Sequence, residues 1–373
     1  MQLFLGATLL EQGRLEDADE QLAEAEASAR ETGSRVNELS AQIMRIVIGI
    51  QRDPAVDFEA VVALCDAAIG ELEQLHADAA LAGAYRVLYM VHLSRSDTEK
   101  AGIAAASALE QARRAGYVRG EGEAVLFLTL TRLVGPTPGE EALHDCEQLL
   151  AESPGPMSTA SVLTMMGALQ AMLGRSDDGR RLVREGRDAF RELGFLLFSE
   201  NMALTDAWVE FHAGDLTAAE QVLQRSTAVL DSIGETSSSS IQHAVRALFV
   251  AQLGRFEEAL DLCERSNRGA VAALTHAMQR SARAVALAGL GRTGEAIPIA
   301  REAVEIMRRT TGTHDTGVTC SALADVLIAA GEDREAQLAL DEARSLFERK
   351  GCVVCAAHAL DRLEALGVAE RAL

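Results

Sequence analysis

Lysine, proline and aromatic residues are all scarce in this chain. Only Lys100 and Lys350 are lysines, there are six prolines in 373 residues, and aromatics make up 4%. Few aromatic and β-branched residues disfavour a sheet protein, and few prolines leave long helices uninterrupted. The longest apolar run, Ile43 to Ile50, is broken by Arg45 and is too short to span a bilayer. No secretory leader is recognisable, so a reduced, cytoplasmic setting is expected. The six cysteines (Cys65, Cys146, Cys263, Cys320, Cys352 and Cys355) are scattered, which excludes a dense disulfide framework. Positive charge is also in deficit. The net charge of −21 repels phosphate backbones and anionic lipid, arguing against direct nucleic-acid or membrane partners. What is abundant is Ala, Leu, Glu and Arg, the residues that lose least rotamer freedom in a helix. With 48% hydrophobic residues there is enough to bury a core.

One pattern recurs: an apolar helix, a Gly-centred turn, an acidic residue or two, then alanine. It reads Gly13-Arg14-Leu15-Glu16-Asp17-Ala18, and returns at Gly214 to Ala219, Gly254 to Ala259, Gly291 to Ala296 and Gly331 to Ala336. Gly174 to Gly179 is a variant with glycine in the alanine slot. Gly174, Gly214, Gly254, Gly291 and Gly331 stand 40, 40, 37 and 40 residues apart. A second glycine series (Gly33, Gly116, Gly155, Gly194, Gly234, Gly269, Gly312 and Gly351) lies between them, with a degenerate turn near His76 to Asp78. Two interleaved series half a period apart predict two helices per unit, because glycine tolerates the positive φ that ends a helix. Within each half-unit the apolar residues follow helical spacing, as in Leu182, Val183, Ala189, Phe190 and Leu193. Neither helix can bury its stripe alone, so the units must stack in one dimension. The expected fold is all-α: an α-α superhelix of about nine helix-turn-helix units, forming one continuous array over 1–373. The irregular places are a widened turn near Arg52 to Pro54, a turn without glycine near Ser94 to Asp97, and the Pro136 and Pro138 segment. Ser237 to Ser240 is expected to start a helix by serine capping.

At these residues the chain resembles the tetratricopeptide repeat family. Leu5 and Gly6 precede the first turn, and Ala18, Leu22 and Ala25 follow it, at the family's large and small packing positions. Gly167, Ala207, Ala247, Ala284 and Ala324 fill the small slot before the turn in later units. The period of about 40 exceeds the family's standard unit, and the helix-terminal proline is missing. The longer unit is similar to the helical-repeat tails of large bacterial regulators, among them ATP-dependent transcription activators of the maltose-regulator type and nucleotide cyclases with an ATPase module. That resemblance implies a binding and regulatory role in signal transduction or transcriptional regulation, with no enzymatic activity and no cofactor. It also raises the expectation that the sequence is part of a longer protein, since no capping helix precedes Leu3.

No Walker phosphate loop, Rossmann fingerprint or zinc-protease His pair is present. Cys352, Cys355 and His358 share a face at three-residue spacing, which is half of a metal site lacking a fourth ligand. Packing by small apolar side chains is the expected reading, with no metal. Trp208, Phe211 and His212 form the most suggestive cluster. If the first helix of each unit lines the concave face, Leu204, Leu248, Ala251, Gln252, Val285, Ala288, Asp325 and Ile328 share that face with them. The candidate groove is therefore Leu204, Trp208, Phe211, His212, Leu248, Gln252, Val285 and Asp325, either open to a protein, peptide or small apolar ligand or closed by packing between units. The competing reading is a catalytic pocket around Trp208 and His212, with Asp206 nearby. Self-association through terminal repeats is a third. The acidic residues from Glu16 to Glu26 read as a solvated face steadied by Arg14 and Arg30. The histidines His76, His92, His144, His243, His276 and His314 share no spacing and carry no functional expectation.

Overall fold

The computed structural model describes residues 2–52, 56–152, 155–269 and 272–372. These contain helices and no strand. The first four pairs are α1 (Gln2–Glu11) with α2 (Leu15–Glu31), α3 (Arg35–Arg52) with α4 (Phe58–Gln74), α5 (Asp78–Ser94) with α6 (Thr98–Arg114), and α7 (Val118–Val134) with α8 (Gly139–Glu152). The fifth is α9 (Pro156–Met172) with α10 (Ser176–Glu192). In the sixth, α11 (Leu196–Asn201) and α12 (Ala203–His212) form one rod interrupted at Met202, which pairs with α13 (Leu216–Ser232). Then come α14 (Ser237–Gln252) with α15 (Phe256–Ser266), α16 (Ala273–Gly289) with α17 (Thr293–Arg308), and α18 (Thr313–Ala330) with α19 (Asp333–Lys350). α20 (Val353–Ala372) stands unpaired at the end. Among the described residues this gives nine pairs, the expected repeat solenoid.

The small slots behave as the repeat requires. Ala18, Ala207, Ala219, Ala247, Ala259, Ala284, Ala296, Ala324 and Ala336 are all fully buried. A side chain at Gly6 would meet Leu22 at 2.6 Å, so these two positions do face each other. The turn glycines Gly174, Gly214, Gly254, Gly291 and Gly331 adopt φ between 75° and 82°, the left-handed conformation that only glycine reaches cheaply. His76 (φ 51°) and Ser96 (φ 54°) do the same work at two turns without glycine. Three expected turn glycines do not fit: Gly155 is extended at φ −176°, Gly312 has φ −74°, and Gly269 closes a short 3-10 turn, Asn267–Gly269. Those junctions are made by other residues, including Pro156 at the first turn of α9. α7 ends at Val134, ahead of Pro136, as expected. Of the widened turn, Asp53 and Pro54 lie outside the described residues.

α14 begins at Ser237, but no serine caps it. The carboxylate of Glu235 accepts from the backbone N–H groups of Ser238 (2.9 Å) and Ser239 (3.1 Å). Burial pushes this carboxyl up to about 7 despite those bonds. The acidic face of α2 is not merely solvated either. Glu16 pairs with Arg52, and Asp19 and Glu26 pair with Arg45, tying α2 to α3 as well as to Arg14 and Arg30. These pairs are largely open to water, so their share of stability is small.

The solenoid winds tightly enough for successive turns to touch. α1 meets α11, α3 meets α14, α7 meets α18, and α9 meets α20. With α11 and α12 counted as one rod, every partner stands ten rods further on, so five units complete a turn. Specific bonds cross this seam. Thr236 donates to the Gln51 carbonyl through N–H and hydroxyl (3.2 and 2.9 Å). The Thr311 hydroxyl donates to the Ser96 carbonyl (3.0 Å) and lies 2.7 Å from that of Thr98. The fully buried Lys350 Nζ donates to the carbonyls of Arg132, Gly135 and Thr137 at 2.8, 2.9 and 2.7 Å. None of these contacts follows from the repeat, since each joins positions roughly 200 residues apart. Among the described residues, no helix is long and apolar enough to cross a membrane.

Candidate ligand groove

The first helices of the C-terminal units face inward and enclose an open groove of about 820 Å³. α12 contributes Phe211, α14 Ala251 and Gln252, α16 Val285 and Ala288, α18 Val318, Ser321 and Asp325, and α20 Cys355, His358 and Arg362. Phe256 and Phe347 come from the second helices α15 and α19. Both rings reach the groove because a glycine on the neighbouring inner helix leaves room. A Cβ at Gly289 would stand 2.2 Å from the Phe256 ring, and one at Gly317 would stand 2.6 Å from Phe347. Any side chain there would evict the ring.

The residues proposed from sequence divide into three sets. Phe211, Gln252, Val285 and Asp325 line the groove, with Ala251 and Ala288 beside them. Trp208, His212 and Leu248 are taken up by packing. Leu248 is buried in the core. Trp208 is half-buried, edge-on to Phe211 (5.1 Å), Phe249 (5.3 Å) and His314 (5.3 Å), and stacked on His212 (6.1 Å). Leu204 faces a different cavity of about 280 Å³, shared with Tyr89, Phe127 and Phe198. Phe256, Phe347 and Arg362 were missed. The only signals for the two rings were glycines inside helical patterns, which normally cost about 1 kcal/mol and so imply a packing reason; Arg362 had none.

Polar character is concentrated at one place. Asp325 and Arg362 form a hydrogen-bonded ion pair on the groove wall. Asp325 is a third open to the groove yet surrounded by protein, and this burial raises its carboxyl above the ordinary range, with Arg362 and His358 opposing. His212 does not meet an acid. Asp206 belongs instead to the buried Arg187, whose guanidinium also donates to the Ser199 carbonyl. His212 Nε2 lies 3.2 Å from Nε2 of His314, a residue that carried no functional expectation. The Cys352 sulfur lies beside Cys355 and both imidazoles, with one donor atom of each within 4.8 Å of every other. The neighbouring Cys355, with the two rings, pulls the Cys352 thiol well below its usual range. His358, expected on the same face, is exposed on the groove rim and stands apart from these four.

No family model and no curated protein matches the chain. Solved structures share its fold. The chain is similar to a Rap protein crystallised in complex with competence and sporulation factor, at TM-score 0.53 and 12% identity, over 98% of this chain and 96% of that one. It is also similar to yeast Tom70 (TM-score 0.45, 12% identity, 99% and 82% covered). NprR in complex with its cognate peptide NprX follows at TM-score 0.48 and 16% identity, with 66% and 71% covered. The nine stacked helix pairs, with the likeness to the Rap protein, make the architecture a tetratricopeptide-type helical-repeat superhelix, and likeness at this identity speaks to fold alone.

Proposed function

We propose that this protein is a binding module that takes a peptide, or an extended segment of a partner protein, into the groove between α12 and α20. The observation that carries the reading is an open groove of about 820 Å³ with apolar walls (Phe211, Phe256, Val285, Phe347) and one acid–base pair on its wall. Specific sites commonly combine many apolar contacts with a few placed polar groups that fix orientation. The fold likeness to a Rap protein complexed with its factor adds weight. The role is regulatory, with occupancy of the groove read out by other parts of a bacterial signalling or transcriptional assembly in the cytoplasm. Catalysis is the weaker reading, because His212 is buried without a carboxylate partner and Asp206 is committed to Arg187.

The net charge of −21 favours a segment carrying at least one basic residue, which would share Asp325 with Arg362 on the groove wall. Trp208 is the one tryptophan in the sequence and touches Phe211 on the groove wall, so its fluorescence reports occupancy. Titration with short apolar peptides bearing an arginine is expected to saturate. Asp325→Ala should weaken binding by about tenfold, roughly 1.4 kcal/mol. Because the Asp325 carboxyl is raised, affinity should fall as the pH drops and the carboxylate becomes protonated. Peptides that never saturate the signal, or an affinity indifferent to Asp325, would refute the reading.

A further inference from the structure

Four buried side chains from the sixth pair, the ninth pair and the helix that follows it converge beside the groove. His212 is the last residue of α12, His314 lies in the first turn of α18, Cys352 immediately precedes α20, and Cys355 is in its first turn. One potential ligand atom from each lies within 4.8 Å of every other. All four are buried, at 3%, 3%, 0% and 8% exposure. We propose that His212, His314, Cys352 and Cys355 form a closed, four-ligand site for a zinc ion.

The donor chemistry fits. Two thiols and two imidazoles are a Cys2His2 set, one of the structural zinc types, and Cys352 and Cys355 carry the C-x-x-C spacing such sites use. The geometry fits as well. At a zinc–nitrogen bond of about 2.05 Å, a tetrahedral edge between two nitrogens is about 3.3 Å, and the two Nε2 atoms are 3.2 Å apart. The remaining atoms need only close to about 3.5–3.8 Å around the ion. Charge also fits. Zinc with two thiolates and two neutral imidazoles is neutral overall, which suits a site walled by the Trp208 and Phe347 rings. Binding releases the thiol protons to solvent.

One further feature points to a ligand rather than to packing alone. His212 offers Nε2 to the cluster, while its buried Nδ1 has no partner. His314 has an outer partner of the kind metal-bound histidines use, with Nδ1 3.3 Å from a carboxylate oxygen of Asp315. The ion would clasp the end of α12 to the beginnings of α18 and α20, joining the sixth pair to helices that start about 100 residues or more beyond His212. Cys355 also lines the groove, so the clasp would set its wall.

The test uses the reduced full chain with zinc alone, and cobalt(II) as a spectroscopic stand-in. One equivalent of zinc should bind and raise the melting temperature by mass action. Cobalt should give the visible bands of a tetrahedral ion and thiolate charge transfer in the ultraviolet. Cys352→Ser with Cys355→Ser should abolish both, and Asp315→Asn should weaken affinity roughly 10- to 100-fold. His358→Ala should leave binding unchanged. Zinc titration of the wild-type chain decides the matter even if a variant fails to fold. A reduced, folded chain that takes up no stoichiometric metal overturns the proposal, and so does metal binding that survives the double cysteine variant or depends on His358.

Discussion

Replacing Lys350 with methionine is expected to destabilise the protein by about 4 kcal/mol, although the substitution conserves length and apolar bulk. Lys350 is completely buried, and its ammonium donates to three carbonyls of the α7–α8 junction. That junction is poor in alternatives. Arg132 is in the last turn of α7, where carbonyls have no partner within the helix. Pro136 and Pro138 contribute no N–H to the loop. A cation at a helix C-terminus also complements the helix dipole. Methionine would leave three desolvated acceptors without donors, at about 1–3 kcal/mol each, partly offset by no longer burying a charge. Because α19 and α7 belong to successive turns of the superhelix, the loss should appear as earlier unfolding of the C-terminal units. Urea unfolding followed by circular dichroism would measure it. A variant within 1 kcal/mol of the parent would mean that the clasp contributes little.

The second large effect concerns helix spacing. Gly167→Val is expected to cost roughly 3 kcal/mol or more. A Cβ at Gly167 would stand 2.6 Å from Val183 Cγ2, 2.8 Å from the Gly179 carbonyl oxygen and 2.9 Å from the Val183 nitrogen. The last two are backbone atoms, which cannot swing away. The only relief is to push α9 and α10 apart, and overpacking of this kind costs several kcal/mol when the neighbours are rigid. Gly186 approaches Thr164 and the Ala160 carbonyl in the same way, so the pair is close along its whole length. A control of opposite sign is available. Gly70 lies in α4, where an added Cβ would meet nothing within 4 Å, and Gly70→Ala should stabilise by about 0.5–1 kcal/mol through helix propensity. Thermal melting of both variants checks the argument. Equal shifts would show that glycine content, and not close approach, governs the two sites.

The repeat was readable because it is local. Each glycine turn, each buried alanine and each amphipathic stripe lies within one 40-residue unit, and the nine pairs follow from them. Serine capping of α14 was misread because the acceptor, Glu235, sits two residues before the serine run. The groove was half legible. Helical phase placed Phe211, Gln252, Val285 and Asp325 on the inner face, but it could not distinguish an open face from a filled one. Trp208 and His212 are inner-facing too, and the tight winding packs them against Phe249 and His314. Arg362, and the meeting of His212 and His314 with the Cys352–Cys355 half-site, were illegible for a stronger reason. Their partners lie in other repeats, 37 residues away for Asp325 and 102 for His212 with His314. The pitch that joins them is set by the sum of small rotations between units, which no single unit encodes.

That pitch underlies the groove, the Lys350 clasp and the His–Cys cluster alike, and one cross-link reads it. The hydroxyls of Thr98 and Thr311 are 2.7 Å apart across the seam between turns, while the six native cysteines are all buried. Under mild oxidation the Thr98→Cys, Thr311→Cys double variant should close an intramolecular disulfide in most molecules, identified by peptide mass spectrometry, and neither single variant should. A folded, fully helical double variant that stays reduced would contradict the five-unit turn.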